Sequence, residues 1–127
     1  MTDQNRLRGR LGEDVAALLL ASRGYRILDR NVRAGRSEID LLVERGETLI
    51  LVEVKWRRGD FDPAPAARAW SRGQRQRARD GAARLMLAIP GASSRPWRFD
   101  LVTIVEAPHG WRVEHHPGAW SPGDSFW

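Results

Sequence analysis

Four charged residues on two neighbouring strand-like segments could together catalyse a reaction. Glu38 and Asp40 are two positions apart in one segment, and Glu53 and Lys55 are two positions apart in the next. Because side chains alternate along a β-strand, each pair points to one face of its strand. Three carboxylates crowded on a partly buried face repel one another unless a cation joins them. Oxygen ligands suit Mg²⁺ or Mn²⁺, and the lysine could place an ammonium beside an attacking water or a phosphoryl oxygen.

The predicted hairpin between the two segments decides whether the four residues share a face. With Arg45-Gly46 as the turn, Glu38 lies opposite Glu53 and Asp40 lies opposite Leu51, so all four charges project to one side. The other face is apolar and is predicted to be core; it contains Ile39, Leu41, Val43, Ile50, Val52 and Val54. A simpler interpretation remains open, in which Glu38 and Glu53 face solvent and pair with Lys55 and nearby arginines.

These segments belong to a chain of seven predicted elements. Apolar residues recur at helical spacing in 6–23 and 71–88. Strand patterns occupy 25–32, 37–44, 48–56, 97–105 and 111–115, ahead of an irregular tail from about residue 117. The order α-β-β-β-α-β-β predicts an α/β fold with a central mixed β-sheet flanked by helices, as a single domain over residues 1–127.

Positive charge is concentrated in one part of the chain. The 127 residues include 20 arginines but only one lysine, and the net charge is +5. Segment 57–84 has eight arginines and three aspartates, whereas the rest has 13 basic and 13 acidic residues. Basic residues clustered along a helix are typical of phosphate-backbone binding, although an ordinary solvated helix face has the same pattern. The arginines predicted to contact nucleic acid are Arg57, Arg58, Arg72, Arg75 and Arg79.

The composition excludes several other classes of protein. No cysteine is present, which rules out thiol nucleophiles, disulfide frameworks and cysteine-ligated zinc. The longest apolar runs, 15–21 and 49–52, are far shorter than the roughly 20 residues of a membrane helix. The first residues do not read as a secretory signal, because no apolar stretch follows a basic region. We therefore expect a cytoplasmic protein with no membrane partner.

Several short motifs occur in an order that resembles a known family. They are Gly12-Glu13, Tyr25, 31–33, Glu38-Ile39-Asp40-Leu41, Val52-Glu53-Val54-Lys55, Arg98-Phe99-Asp100, Glu114-His115 and Ala119-Trp120. Together they resemble the YraN-like family of small bacterial proteins. That family looks like a member of the restriction-endonuclease-like PD-(D/E)xK superfamily, similar in architecture to archaeal Holliday-junction resolvases. A lone Glu-x-Lys is weak evidence, whereas the ordered set covers nearly the whole chain.

The resemblance implies a role for the matching residues. Asp40 and Glu53 would ligate the metal, Mg²⁺ or Mn²⁺, and Lys55 would orient or activate water. Glu38 is a further candidate metal ligand because of the crowding of the three carboxylates described above. These roles predict a metal-dependent nuclease that acts on nucleic-acid phosphodiesters, on DNA rather than RNA, with branched or structured DNA as the candidate substrate. The alternatives are a nucleic-acid-binding module that does not cut and a protein-interaction scaffold. A homodimer is a further expectation, because junction-cutting relatives act as dimers.

Three further residues each have two interpretations. The resemblance brings Glu13 to the site from the first helix, but a surface pair with Arg10 explains it as well. Gln74 matches a polar site residue on the helix after the Glu-x-Lys strand, yet residues 71–74 also fit a capping box, in which its amide satisfies the first turn. Trp56 could stack on an unpaired base, or it could pack against the first helix.

Overall fold

The computed structural model describes residues 3–34, 37–58 and 72–120. In chain order these ranges contain α1 (Asp3–Ser22), β1 (Arg26–Ala34), β2 (Ser37–Arg45), β3 (Thr48–Arg58), α2 (Arg72–Ala88), a short 3-10 helix (Ala92–Ser94), β4 (Trp97–Ala107) and β5 (Gly110–Trp120). The predicted order α-β-β-β-α-β-β and the α/β fold class are confirmed. Within the same ranges, no helix is long and apolar enough to cross a membrane.

The five strands form one mixed sheet in the order β1-β2-β3-β4-β5. Neighbouring strands are antiparallel except β3 and β4, which are parallel. Two parallel neighbours need a crossover that returns the chain to the same end of the sheet, and α2 lies in this connection. The crossover places α2 across one face of the sheet.

Helices α1 and α2 pack on opposite faces of the sheet, because alternating strand residues join two different apolar clusters. The cluster on the α1 face contains Ala16, Ala17, Leu20, Tyr25, Leu41, Val43, Ile50, Val52 and Val102. The cluster on the α2 face contains Ile39, Leu42, Leu51, Ala78, Ala82, Leu85 and Phe99. Charged residues in the middle strands are therefore held in a sheet that is covered on both sides.

The turn between β2 and β3 differs from the predicted one. The last backbone pair is Arg45–Thr48, so the two-residue turn is Gly46-Glu47 and not Arg45-Gly46. Gly46 has a φ of 59°, a left-handed conformation that glycine adopts without the steric cost it has for other residues. This preference moves the register of the hairpin by two residues.

The predicted oppositions Glu38–Glu53 and Asp40–Leu51 are therefore wrong. In the observed register the last pair is Leu41–Val52, and Asp40 and Glu53 are the next residues on either strand. A shift of two residues alone moves no side chain to the other face. The regular alternation of β2 nevertheless ends at Leu41, so it does not by itself place Asp40 beside Glu53 and Lys55. Ile39 also differs from expectation, because it packs in the cluster on the α2 face, where β2 no longer pairs with β3.

Strand β5 runs to Trp120 and so enters the region predicted to be an irregular tail. A bulge makes the extension possible, since residues 117–119 of β5 lie opposite the single β4 residue Asp100. Pro117 has no N–H to donate, and Gly118 has a φ of 60°, which explains why the ladder is interrupted here and then resumes. Residues 121–127 lie outside the described residues.

Candidate functional site

The Asp40 side chain lies where the backbone pairing of β2 and β3 ends. The last backbone pair on this side is Leu41–Val52. The Val54 N–H donates to Asp40 Oδ2 at 2.8 Å, so the carboxylate takes the place of a partner strand. Because residues of β2 before Leu41 pair only with β1, Asp40 is fixed at the point where the two strands separate.

Asp40 and Glu53 form a hydrogen-bonded carboxyl pair. Two carboxyl groups can bond in this way only when one of them is protonated. Burial raises the pKa of Glu53 to about 8, and the negative charge of Asp40 adds to the rise. Burial also raises the pKa of Asp40, although the hydrogen bond from Val54 opposes it. The raised pKa values of both carboxyl groups therefore favour one proton shared by the pair.

Lys55 joins this pair from two residues further along β3. It is only 7% exposed. Burial lowers the pKa of Lys55, while the charges of Glu53 and Asp40 act in the opposite direction. A buried ammonium needs such neighbours, because it has lost most of its hydration. The structure thus brings together three of the four residues that the spacing singled out.

Two more carboxylates interact electrostatically with Asp40. Glu13 is half-buried on α1, and burial raises its pKa, with the charges of Asp40 and Glu38 acting in the same direction. Glu38 is exposed, and its charge also contributes to the raised pKa of Asp40. Glu38 is therefore a solvated neighbour of the pair and not one of its buried members.

A small cavity joins α1 to the ends of β2 and β3. It has a volume of about 120 Å³ and is lined by Gly9, Gly12, Glu13, Asp40, Val54 and Trp56. A Cβ on Gly12 would lie 3.2 Å from the Trp56 ring, so glycine lets the helix approach the sheet closely here. A cavity of this size has room for several waters or a small polar group beside Asp40.

Asn31 is a site residue to which the sequence analysis gave no role, although it begins the 31–33 motif of the resemblance. Its side chain hydrogen-bonds to the Glu13 carboxylate and opposes the rise in the pKa of Glu13. Its φ of 51° is the only positive value at a non-glycine position in the described ranges. Asparagine tolerates this left-handed conformation better than most residues do. The available signal was an asparagine inside a strand pattern, but that pattern alone predicts an extended backbone and no contact with Glu13.

The Asp40–Glu53 pair fits a divalent cation as part of an open ligand set. Among the described residues, no three carboxylate or imidazole side chains come together as a closed metal site. Mg²⁺ and Mn²⁺ prefer carboxylate oxygens, and Mg²⁺ usually retains several waters. Repulsion between two neighbouring carboxylates favours either a shared proton or a cation between them. The donor chemistry therefore fits a hard ion held by Asp40, Glu53 and water.

The predicted nucleic-acid-binding arginines at the end of β3 are at the surface. Arg57 and Arg58 are both exposed. Arg58 forms an ion pair with Glu106 of β4 at 2.9 Å. Arg58 is the exposed member of this pair and Glu106 is half-buried; an ion pair with one solvated partner is weak, so Arg58 can also reach another anion.

The predicted arginines of α2 lie in a different environment. Arg75 and Arg79 are partly buried, whereas Arg77 and Arg84 are exposed. Helical spacing explains this, because positions 75 and 79 lie on the side of α2 that presents Ala78 to the sheet. The side chains of Arg72 and Gln74, like residue 71 of the proposed capping box, lie outside the described part of the chain, and their roles stay predictions.

A second network of buried charges lies near the end of α1. Asp100 is fully buried and accepts hydrogen bonds from Arg98 Nε at 2.7 Å and from the Gly118 N–H at 2.9 Å. Its Oδ2 lies 2.7 Å from His115 Nε2, and Arg98 also donates to the Tyr25 hydroxyl at 3.0 Å. Burial alone would raise the pKa of Asp100, but the bonds from His115, Arg98 and Gly118 outweigh it and lower the pKa. This network holds the β5 bulge and the corner after α1 against β4.

Comparison with known proteins finds relatives over most of the chain. A family model described as uncharacterised protein family UPF0102 matches residues 12–104, a range that includes Glu13, Asp40, Glu53 and Lys55. A UPF0102 protein of Symbiobacterium thermophilum is 43% identical over 102 residues, which are 80% of this chain and 85% of that protein. One of Syntrophotalea carbinolica is 40% identical over 119 residues, which are 94% of this chain and 95% of that protein.

One solved structure also shows a distant likeness. It is Pyrococcus furiosus SfsA in complex with Ca²⁺, with a TM-score of 0.37 and 19% sequence identity. The match covers 89% of this chain and 63% of that chain. So weak a likeness supports no inference about chemistry.

Proposed function

We propose that this chain, which belongs to the UPF0102 family, is a divalent-metal-dependent nuclease that hydrolyses phosphodiester bonds in nucleic acid, DNA in preference to RNA. Family membership follows from the match over residues 12–104 and from relatives about 40% identical over most of the chain. It confirms the YraN-like resemblance seen in the motifs. The family description itself names no activity, so the proposal depends on the site.

The observation that supports the proposal is the buried Asp40–Glu53 pair with Lys55 beside it. Two desolvated carboxylates and one desolvated ammonium cost folding free energy, and apolar side chains at these positions would avoid that cost. Perturbed pKa values of several neighbouring groups are typical of functional sites. The arrangement therefore favours a catalytic role for these three residues over a structural one.

The residues of the site have separate tasks in this reaction. Asp40 and Glu53 would hold Mg²⁺ or Mn²⁺, which supplies Lewis acidity to an attacking water or a phosphoryl oxygen. Glu53 must release its proton before both carboxylates can serve as ligands. The Lys55 ammonium donates a hydrogen bond to the water or to a phosphoryl oxygen, and its compact charge stabilises the negative charge that develops there.

The direct test is cleavage of branched, flapped and single-stranded DNA and of RNA with Mg²⁺ or Mn²⁺. We expect cleavage that EDTA abolishes and that Asp40→Asn removes. Glu47→Gln, a change in the exposed β2–β3 turn, is the matched control and should cut like the wild type. No turnover on any of these substrates, with metal binding demonstrated, would refute the proposal.

A binding module that does not cut is the second candidate. The open ligand set among the described residues favours it, because two carboxylates alone hold a metal weakly. This candidate predicts nucleic-acid affinity that falls with salt and is unchanged by Asp40→Asn. The nuclease instead predicts that metal affinity and cleavage are lost together in that variant.

A further inference from the structure

The β3, β4 and β5 strands present an aromatic residue beside an arginine at one end of the sheet. Arg58, Glu106 and Trp111 are successive partners across the three strands. Neighbouring strands are about 4.8 Å apart, so the backbones at Arg58 and Trp111, two strands apart, lie roughly 10 Å from each other. Trp111 is 51% exposed, an unusual position for the largest apolar side chain.

The Trp111 ring packs on one side against Trp56. The two rings meet edge to face, with their centroids 4.8 Å apart and an interplanar angle of 71°. Trp56 in turn lies against α1 at Gly12, where the helix comes closest to the sheet. A ring backed in this way loses little conformational freedom when a second ring stacks on its open surface.

The same pair of rings connects this surface to the proposed active site. Trp56 lines the cavity that also includes Asp40 and Glu13. The buried Trp56 Nε1 has no hydrogen-bond acceptor among the residues that the structure describes. A buried indole N–H normally has a partner, so an oxygen or nitrogen of a ligand in this region would satisfy it.

We propose that Trp111, backed by Trp56 and flanked by Arg58, is a stacking site for an unpaired nucleobase next to the catalytic cavity. This inference rests on the proposed nuclease function and adds a substrate class to it, namely nucleic acid with a single-stranded segment at the cut site. Arg58 contacts the phosphate backbone after exchanging its weak pair with Glu106. Every base has a π-face, so the site selects unpaired bases and not a sequence.

The test compares two ligands that differ only in the bases. Fluorescence anisotropy in EDTA measures the affinity of the full chain for an oligothymidylate and for an abasic deoxyribose-phosphate oligomer of equal length. We expect the wild type to bind the oligothymidylate more tightly. Trp111→Ala should weaken that complex by about 5- to 150-fold, the range that stacking on one aromatic ring provides. Trp111→Phe should retain most of the affinity, and abasic binding should change less than two-fold in both variants.

Leu87→Ala is the matched control, because Leu87 is 90% exposed on α2 at the opposite face of the sheet. It should bind both oligomers like the wild type. The inference is overturned if Trp111→Ala binds oligothymidylate as tightly as the wild type, or if it loses affinity for both oligomers equally. In either case a wild type that still cuts DNA with Mn²⁺ leaves the nuclease proposal intact. A wild type that neither binds these oligomers nor cuts any DNA overturns both.

Discussion

Replacing Glu53 by glutamine should stabilise the metal-free protein at neutral and alkaline pH. The amide has the same shape and can still donate a hydrogen bond to Asp40, but it cannot ionise. In the wild type the pKa of Glu53 is raised from 4.5 to about 8 in the folded state, mainly by burial. Between these pH values the folded protein therefore binds more protons than the unfolded chain, and wild-type stability falls as the pH rises. Glu53→Gln has no such ionisation and should not lose stability in this way as the pH rises.

The size of the effect follows from the width of the pH window. Stability changes by about 1.4 kcal/mol for each pH unit over which the two states differ by one proton. From pH 4.5 to 7 this amounts to about 3 kcal/mol, and sharing of the proton with Asp40 reduces it to the order of 2 kcal/mol. The advantage of Glu53→Gln should vanish near pH 4.5 and be largest at about pH 8.

The assay is urea unfolding in EDTA across this pH range. Glu47→Gln serves as the control, since Glu47 is exposed in the β2–β3 turn and should show no comparable pH-dependent gain. Adding Mn²⁺ should stabilise the wild type and leave Glu53→Gln unchanged, because only the ionised carboxylate is a strong ligand. Parallel stability curves for wild type and Glu53→Gln, or a variant that is less stable at pH 8, would refute the reasoning.

Three other substitutions test separate parts of the structure. Lys55→Arg should keep the fold and nucleic-acid affinity but lose cleavage, because a planar guanidinium cannot replace a compact ammonium at a position where the lysine is only 7% exposed. Full activity of this variant in a cleavage assay would contradict a catalytic role for the Lys55 ammonium. Asp100→Asn should destabilise the fold by about 3 kcal/mol at pH 7, the low end of the range for buried pairs, since it removes the fully buried counter-charge of Arg98, whose own side chain is 30% exposed. Because its pKa is lowered in the folded state, ionised Asp100 stabilises the fold fully at pH values above its ordinary pKa of 3.8. The difference in stability between the wild type and Asp100→Asn, measured by urea unfolding, should therefore narrow as the pH falls below 3.8. A constant difference would argue against an ionised Asp100. Asn31→Gly keeps the backbone freedom and removes the amide that lowers the pKa of Glu13, so this pKa should rise while urea unfolding stays near that of the wild type. Asn31→Ala should in addition lose about 1 kcal/mol or more to strain at a φ of 51°. A Glu13 pKa that NMR titration finds unchanged in both variants would show that Asn31 does not contact Glu13.

The sequence predicted those features that depend on periodicity. Alternation placed Glu53 and Lys55 on one face of β3, and an even register error moves neither of them to the other face. Their proximity to Asp40 depends instead on the end of the β2–β3 pairing, where Asp40 accepts the Val54 N–H. What it could not predict depends on single backbone conformations. The left-handed φ of Gly46 sets the β2–β3 register, and that of Asn31 brings its amide to Glu13.

Longer-range contacts were also beyond the sequence pattern. The bulge of β5 forms over Asp100, which accepts a hydrogen bond from the Gly118 N–H, 18 positions further along the chain. The contact between Trp56 and Trp111 depends on how β3 and β5 are placed on either side of β4. Patterns of polar and apolar residues identify the face of a strand, but they do not identify which strands become neighbours.

The central claim is that Asp40 and Glu53 together hold a divalent cation. A crystal soaked in Mn²⁺ and measured at the manganese absorption edge tests it most directly. We predict an anomalous peak about 2.0–2.6 Å from carboxylate oxygens of both residues, the distance range for hard cations with oxygen ligands. The claim is contradicted if millimolar Mn²⁺ gives no peak between the two carboxylates, or if the ion binds only elsewhere on the chain.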